Sequence, residues 1–292
     1  MKNDTGMIAG VAETADTNPL GEDWSCSFFF PGAPTHHVCR GFVWKSGVMT
    51  ALPTLGGPDG FAAGANNRGQ VVGWAENTVH DPTCNLPQVL QFRAVVWDTR
   101  TGGLQELPPL PGDTASAATE INDQGQVVGI SGICSNAVGE FSAAHAVLWE
   151  NGVATDLGSL GGVAWNTPMA INEKGEVVGF ANLPGGDPGA FNAHAFLWTE
   201  DTGMQDLGTL PGDALSQALG INGQGQVVSG RGRHRARMVG GRCRRTLSRR
   251  RRTASAAAGG EHSHDDYEYD LCRSVPHGSH GATPRVHGRG AR

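Results

Sequence analysis

Asn122-Asp123-Gln124-Gly125-Gln126-Val127-Val128-Gly129 is the stretch that decides the fold, because the chain says it again and again. It returns as Asn66-Asn67-Arg68-Gly69-Gln70-Val71-Val72-Gly73 and as Asn172-Glu173-Lys174-Gly175-Glu176-Val177-Val178-Gly179. A last copy begins at Asn222-Gly223-Gln224-Gly225-Gln226-Val227-Val228, and a worn copy, Asn3-Asp4-Thr5-Gly6-Met7-Ile8-Ala9-Gly10, stands near the start. The units therefore start near residues 3, 66, 122, 172 and 222. A period of about 50–60 residues means one supersecondary unit used many times.

Working outward, each unit carries a variable insert and then a second fixed phrase: Gly41-Phe42-Val43-Trp44, Ala94-Val95-Val96-Trp97, Ala146-Val147-Leu148-Trp149 and Ala195-Phe196-Leu197-Trp198. A glycine follows, then a short segment ending in Leu52, Leu107, Leu157 or Leu207. A turn such as Leu110-Pro111-Gly112 and a run of small residues lead into the next Asn. Asn-x-x-Gly is turn chemistry, since Asn bonds its own backbone and Gly accepts positive φ. Flanked by Ile and Val-Val, it predicts a tight hairpin, and the Trp phrase with its glycine predicts a second. The apolar runs are short, β-branched and not strictly alternating, as in strands buried on both faces. The expectation is an all-β, propeller-like array of about four-stranded antiparallel units: four full ones and a truncated fifth.

These phrases resemble the HAF repeat family, named for the triplet found here as His194-Ala195-Phe196, with His145-Ala146-Val147 as a variant. The resemblance covers about residues 3–228. It implies a propeller-like fold and a secreted or cell-surface bacterial repeat protein, and it implies no reaction.

Glycine, at 44 of 292 residues, falls in register at the turns, so it punctuates strands rather than marking disorder. Residues 1–230 hold 7 Lys and Arg against 23 acidic residues, a net charge of −16. An acidic body argues against nucleic acid and anionic membranes as partners. No stretch approaches the length of a membrane span. Met1-Lys2-Asn3-Asp4-Thr5-Gly6 has no apolar signal core and begins inside a repeat, so an upstream signal and first unit are expected to be missing. A cytoplasmic protein that begins this way is the alternative.

The grammar stops after Val228, which divides the chain into a repeat domain, 1–228, and an Arg-rich low-complexity tail, 229–292. Residues 231–292 carry 15 Arg, no Lys and 5 acidic residues, a net charge of +10. Arg249–Arg252 would suit nucleic acid or a localisation signal. The competing reading is a frameshift in a GC-rich gene. Met238-Val239 must be ATG-GTN, and one base forward it reads TGG, Trp. The same shift turns Thr246-Leu247 into a codon that can be Leu, restoring the spacing of Trp149 to Leu157. In that case the Arg run, Cys243, Cys272 and His262-Ser263-His264-Asp265-Asp266 have no evolved role.

Residues that recur in every unit are most economically structural. His145 and His194, like Arg40 and Arg93 in their place, read as strand-edge contacts, with Glu106, Asp156 and Asp206 as edge partners. The four repeated Trp read as blade core. Function is expected in the inserts at about 11–39, 75–92, 130–144 and 180–193, because loops on a rigid scaffold carry binding. The first is the richest. Its Trp24, Phe28, Phe29 and Phe30 would suit a sugar face or a protein partner, or pack under their own loop. His36 and His37 complete that candidate site, although adjacent side chains seldom converge on a metal. Cys26 and Cys39 could close a disulfide, and Cys84 could pair with Cys134 if neighbouring inserts emerge on one rim.

No nucleophile elbow, P-loop or zinc-protease motif occurs, and no catalytic residue, metal ligand or cofactor is assigned. Calcium is the one ion conceivable at Asp59, Asp113, Asp187 and Asp213, yet Leu-Pro-Gly-Asp lacks the dense acids of calcium loops. Three functions are open: a binding or structural module, a propeller-based carbohydrate-processing enzyme, or a truncated frameshifted product without function. A module predicts no buried acid pair; an enzyme predicts two non-equivalent carboxylates at one pocket.

Overall fold

The computed structural model describes residues 3–22, 36–137, 143–185 and 190–228, and the main chain of 229–230 and 237–239. The chain divides into two compact units, Met1–Gly241 and Arg242–Arg292; the described residues all belong to the first.

That first unit is an all-β, propeller-like array of five antiparallel sheets. Sheet one holds β1 (Ile8–Thr17), β2 (His37–Lys45) and β3 (Val48–Ala51). Sheet two holds β4 (Gly60–Ala65), β5 (Gln70–His80), β6 (Leu90–Asp98) and β7 (Gly103–Leu107). Sheet three holds β8 (Ala115–Ile121), β9 (Val127–Gly132), β10 (His145–Glu150) and β11 (Val153–Asp156). Sheet four holds β12 (Thr167–Ile171), β13 (Val177–Asn182), β14 (Ala193–Thr199) and β15 (Gly203–Asp206). Sheet five holds β16 (Gln217–Ile221), β17 (Val227–Gly230) and β18 (Arg237–Val239). The only described helical turn, α1 (Cys134–Ala137), lies in the third insert.

Strands follow chain order within each sheet, so every connection is a hairpin. In sheets two to five the Asn phrase sits inside the sheet, turning its first strand into its second, as at Asn122 between β8 and β9, whereas the copy at Asn3 leads into β1. A sheet therefore begins at the small-residue run before the Asn, and the sequence period is a permutation of the structural unit.

The phrase works through two properties. Asn122 Oδ1 accepts the main-chain N–H groups of Gln124 at 3.1 Å and Gln126 at 3.0 Å, while Gly125 closes the turn at φ 88°. Gly129 then lies against the neighbouring strand so closely that a methyl group there would strike the carbonyl oxygen of Ala117 and the Cα of Ala118. A register shift between Ala118 and Glu120 marks the same place. Gly73 meets Phe61, and Gly179 meets Thr167, in the same way. In sheet five Ser229 stands in this register, opposite Ala218.

The core lies between successive sheets. Val72 and Val96 of sheet two pack with Ile121, Val127 and Trp149 of sheet three, and Val128 and Leu148 pack with Ile171, Val177 and Phe196 of sheet four. Strands buried on both faces explain the absence of strict alternation. Trp149 Nε1 donates to the carbonyl of Pro108 at 2.6 Å, and Trp97 Nε1 to that of Pro53 at 2.8 Å, each reaching the preceding sheet. Trp97 and Trp149 thus fill the inter-sheet core and satisfy their one polar atom there, while Trp44 and Trp198 are half-buried.

A ladder of asparagines crosses the array. Asn3 Nδ2 donates to the carbonyl of Asn66 at 2.8 Å; Asn66 to Asn122, Asn122 to Asn172 and Asn172 to Asn222 follow, each at 3.0 Å. The first four of these side chains are buried. Once buried, an amide needs its partners, so one side chain fixes its own hairpin and the spacing of two sheets.

Candidate functional site

The inserts of sheets two, three and four join the second strand to the third, and in the three-stranded sheet one the insert joins β1 to β2. Cys84 of the second insert is bonded to Cys134 of the third, with their Cα atoms 4.6 Å apart. The condition set for that pairing is met.

Of the residues singled out in the first insert, Trp24, Cys26, Phe28, Phe29 and Phe30 lie outside the described residues. Cys39 is buried and disulfide-bonded. His36 and His37 do not converge: His36 Nδ1 is 3.3 Å from the carbonyl oxygen of Gly21, and His37 Nδ1 is 3.0 Å from Glu13 Oε1.

The recurring polar residues take the edge places expected of them. His145 Nδ1 lies 3.2 Å from Asp156 Oδ2, His194 Nδ1 2.9 Å from Asp206 Oδ2, and Arg93 Nε 3.5 Å from Glu106 Oε1. Each pair bridges the third and fourth strands of its own sheet. Arg40 instead donates to Thr54 Oγ1 at 3.4 Å. Of the turn aspartates, Asp113 accepts Ser131 Oγ at 2.6 Å, and Asp187 lies outside the described residues.

Asp59 departs from this pattern. It stands just before β4 and gathers with Glu22, from the first insert, and Glu76, from the end of the buried part of β5. One carboxylate oxygen of each lies within 4.8 Å of the others, and the three residues are 1%, 0% and 0% exposed. Glu22 Oε1 accepts the amides of Val89 at 2.8 Å and Leu90 at 2.6 Å. Asp59 Oδ1 accepts the amide of Cys39 at 2.8 Å, and Oδ2 accepts Asn18 Nδ2 at 2.9 Å. Glu76 Oε2 accepts the amide of Asp59 at 2.8 Å. Gln88 Nε2 bridges the group, donating to Glu76 Oε1 at 2.9 Å and Glu22 Oε1 at 3.3 Å.

Burial is the largest influence on both central acids. It holds Asp59 well above the usual carboxylate range, against the lowering by the Cys39 amide. Burial, then the charges of Asp59 and Glu22, raise Glu76 likewise. The expectation that a binding module would contain no buried acid pair is therefore not met.

Sequence reasoning missed Glu22, Glu76 and Gln88. Glu76 carried a signal, as an acid within an apolar strand where the matching positions hold Gly132 and Asn182. Glu22 and Gln88 sit in non-repeating loops, and nothing in their local sequence distinguishes them.

No protein-family model matches the chain, and no curated protein matches it. Among solved structures, Pyrococcus horikoshii acylaminoacyl peptidase (orthorhombic crystal form) is similar at a TM-score of 0.39 and 12% identity, over 70% of this chain and 26% of that one. A likeness this slight carries no argument about the activity of this chain.

Proposed function

We propose that this chain is a non-catalytic, secreted or cell-surface β-repeat protein of the HAF type, a binding or structural module that presents its inserts to a protein or glycan. The observation that supports this best is where the recurring polar side chains go. The Asn ladder joins sheets, the Trp indoles bond the preceding sheet, and the His–Asp and Arg–Glu pairs close sheet edges. What the repeat does not use is the set of inserts, and the first insert's Trp24, Phe28, Phe29, Phe30, His36 and His37 are its leading candidates. The Cys84–Cys134 bond and the bonded Cys39 favour an oxidising compartment. Among the described residues no helix is long and apolar enough to cross a membrane.

The full chain on a glycan array, and on the surface of the cells that make it, tests the proposal. Binding that is lost when Phe28, Phe29 and Phe30 become Ala supports it. Absence of both kinds of binding counts against it.

A carbohydrate-processing enzyme is the second reading, favoured by the convergence of Glu22, Asp59 and Glu76. Against it, glycoside hydrolysis places its two carboxyl groups about 5–9.5 Å apart on either side of a sugar, which needs an open cleft. These acids are enclosed and closer together. Turnover of aryl glycosides that Asp59→Asn abolishes would favour the enzyme.

A further inference from the structure

We propose that Glu22, Asp59 and Glu76, with the amide oxygen of Gln88, form a buried site for one divalent cation of the calcium class, clasping the first insert to sheet two. The proposal stands apart from the module reading and does not depend on it.

Geometry comes first. Two oxygens bound to one calcium ion at about 2.3–2.6 Å can be no more than roughly 5 Å apart. The three carboxylate oxygens here lie within 4.8 Å of one another. They come from three separate segments, so their convergence is a tertiary event and not a run of neighbouring surface acids.

The hydrogen bonds point the same way. Every donor that reaches the cluster is an N–H: those of Val89, Leu90, Cys39 and Asp59, with Asn18 Nδ2 and Gln88 Nε2. Each oxygen they meet is used as an acceptor, an arrangement that a carboxylate bound to a cation can keep. Three carboxyl groups enclosed at this distance either keep protons or need a counter-charge, and a cation supplies one. Arg40, the nearby cation, has its Nη1 turned to Thr54 Oγ1.

An independent observation concerns Gln88, which is not an acid. It is 1% exposed, its Nε2 donates to the carbonyl of Leu90 at 2.6 Å as well as to Glu76 and Glu22, and its Oε1 is buried with no hydrogen-bond partner. Glu22 Oε2 is likewise buried and without a partner. Orphaned buried oxygens are rare, and a bound cation is one of the few groups that satisfies them. Hard oxygen donors alone select calcium over zinc or copper. Magnesium prefers to keep several waters, which an enclosed site of this kind accommodates poorly.

The test uses the full chain, stripped with EDTA and returned to CaCl2 at pH 7.5. One calcium per chain by native mass spectrometry is expected. At a hundredfold excess of calcium over Kd, Tm should rise by about 5–10 °C, with a smaller rise in MgCl2. Glu76→Gln keeps the shape of the side chain, removes a charge and should abolish the calcium-dependent rise while the stripped protein still melts cooperatively. No bound calcium in the wild-type chain with an unchanged Tm overturns the proposal. So does a calcium-dependent rise that survives both Glu76→Gln and Asp59→Asn, because the ion is then held elsewhere.

Discussion

Gly64 faces Glu120 across the gap between β4 and β8, so closely that a methyl group on Gly64 would stand 2.9 Å from the Glu120 Cα and 2.5 Å from its Oε1. The contact leaves the Glu120 side chain half-buried between the two strands. Burial outweighs the stabilising amide of Ile121 and pushes the Glu120 pKa up to about 7. A carboxyl whose folded pKa is raised binds more protons folded than unfolded. Its stabilising contribution is complete below the unfolded value and is lost as pH rises through the folded one. Unfolding free energy should therefore fall between about pH 4.5 and 7, by at most about 3 kcal/mol from this group. Glu120→Gln should flatten that slope in urea titrations across the range.

The His194–Asp206 and His145–Asp156 pairs lie at partly exposed sheet edges. Exposed pairs contribute little, so Asp206→Asn or Asp156→Asn should cost less than about 1 kcal/mol. Either variant should leave any ligand binding unchanged, since neither residue belongs to an insert. Chemical denaturation and the glycan array measure the two effects separately.

Cys84 and Cys134 are 50 residues apart and join two inserts. In the chain-entropy account, a loop of that length is worth about 4 kcal/mol of constraint on the unfolded state. Replacing both by Ser should lower Tm markedly, and reduction of the wild-type protein, which also opens the bond at Cys39, should lower it at least as far. Thiol counting under denaturing conditions should show neither cysteine free before reduction.

Two glycines of one phrase should respond differently. Gly125→Ala places a side chain at φ 88° with open space around it, a conformational cost of about 1–2 kcal/mol. Gly129→Ala drives a methyl into the main chain at Ala117 and Ala118, which side-chain movement cannot relieve. Overpacking of about 1–3 kcal/mol or more is expected there, so Gly129→Ala should be the more damaging on urea unfolding.

These glycines also show what was legible in the sequence. A residue that returns at one step of the period has one structural task, which is why the hairpins, the Trp core and the edge pairs could be read from the chain. The boundary of the sheet could not. A repeat marks its phase only relative to itself, so the Asn phrase looked like a beginning when it is the turn after the first strand. The buried acids were hidden for the opposite reason. Glu22, Asp59 and Glu76 occur once each in their setting, and only folding brings residues from three segments within 4.8 Å. Asp59 reads in the sequence as a turn residue suited to calcium, and its neighbours in the fold are not legible there.

The central claim is that the repeated Asn is the fastener between sheets, and Asn122→Asp tests it most directly. The substitution keeps the oxygen that caps Gln124 and Gln126, but it turns the donor into an acceptor facing Gln126 Oε1 and the carbonyl of Asn172. Urea unfolding of the full chain should show a loss of about 1–3 kcal/mol, as expected when buried hydrogen bonds lose their donor. Stability unchanged within about 0.5 kcal/mol, the usual range for an inconsequential surface substitution, would contradict the account.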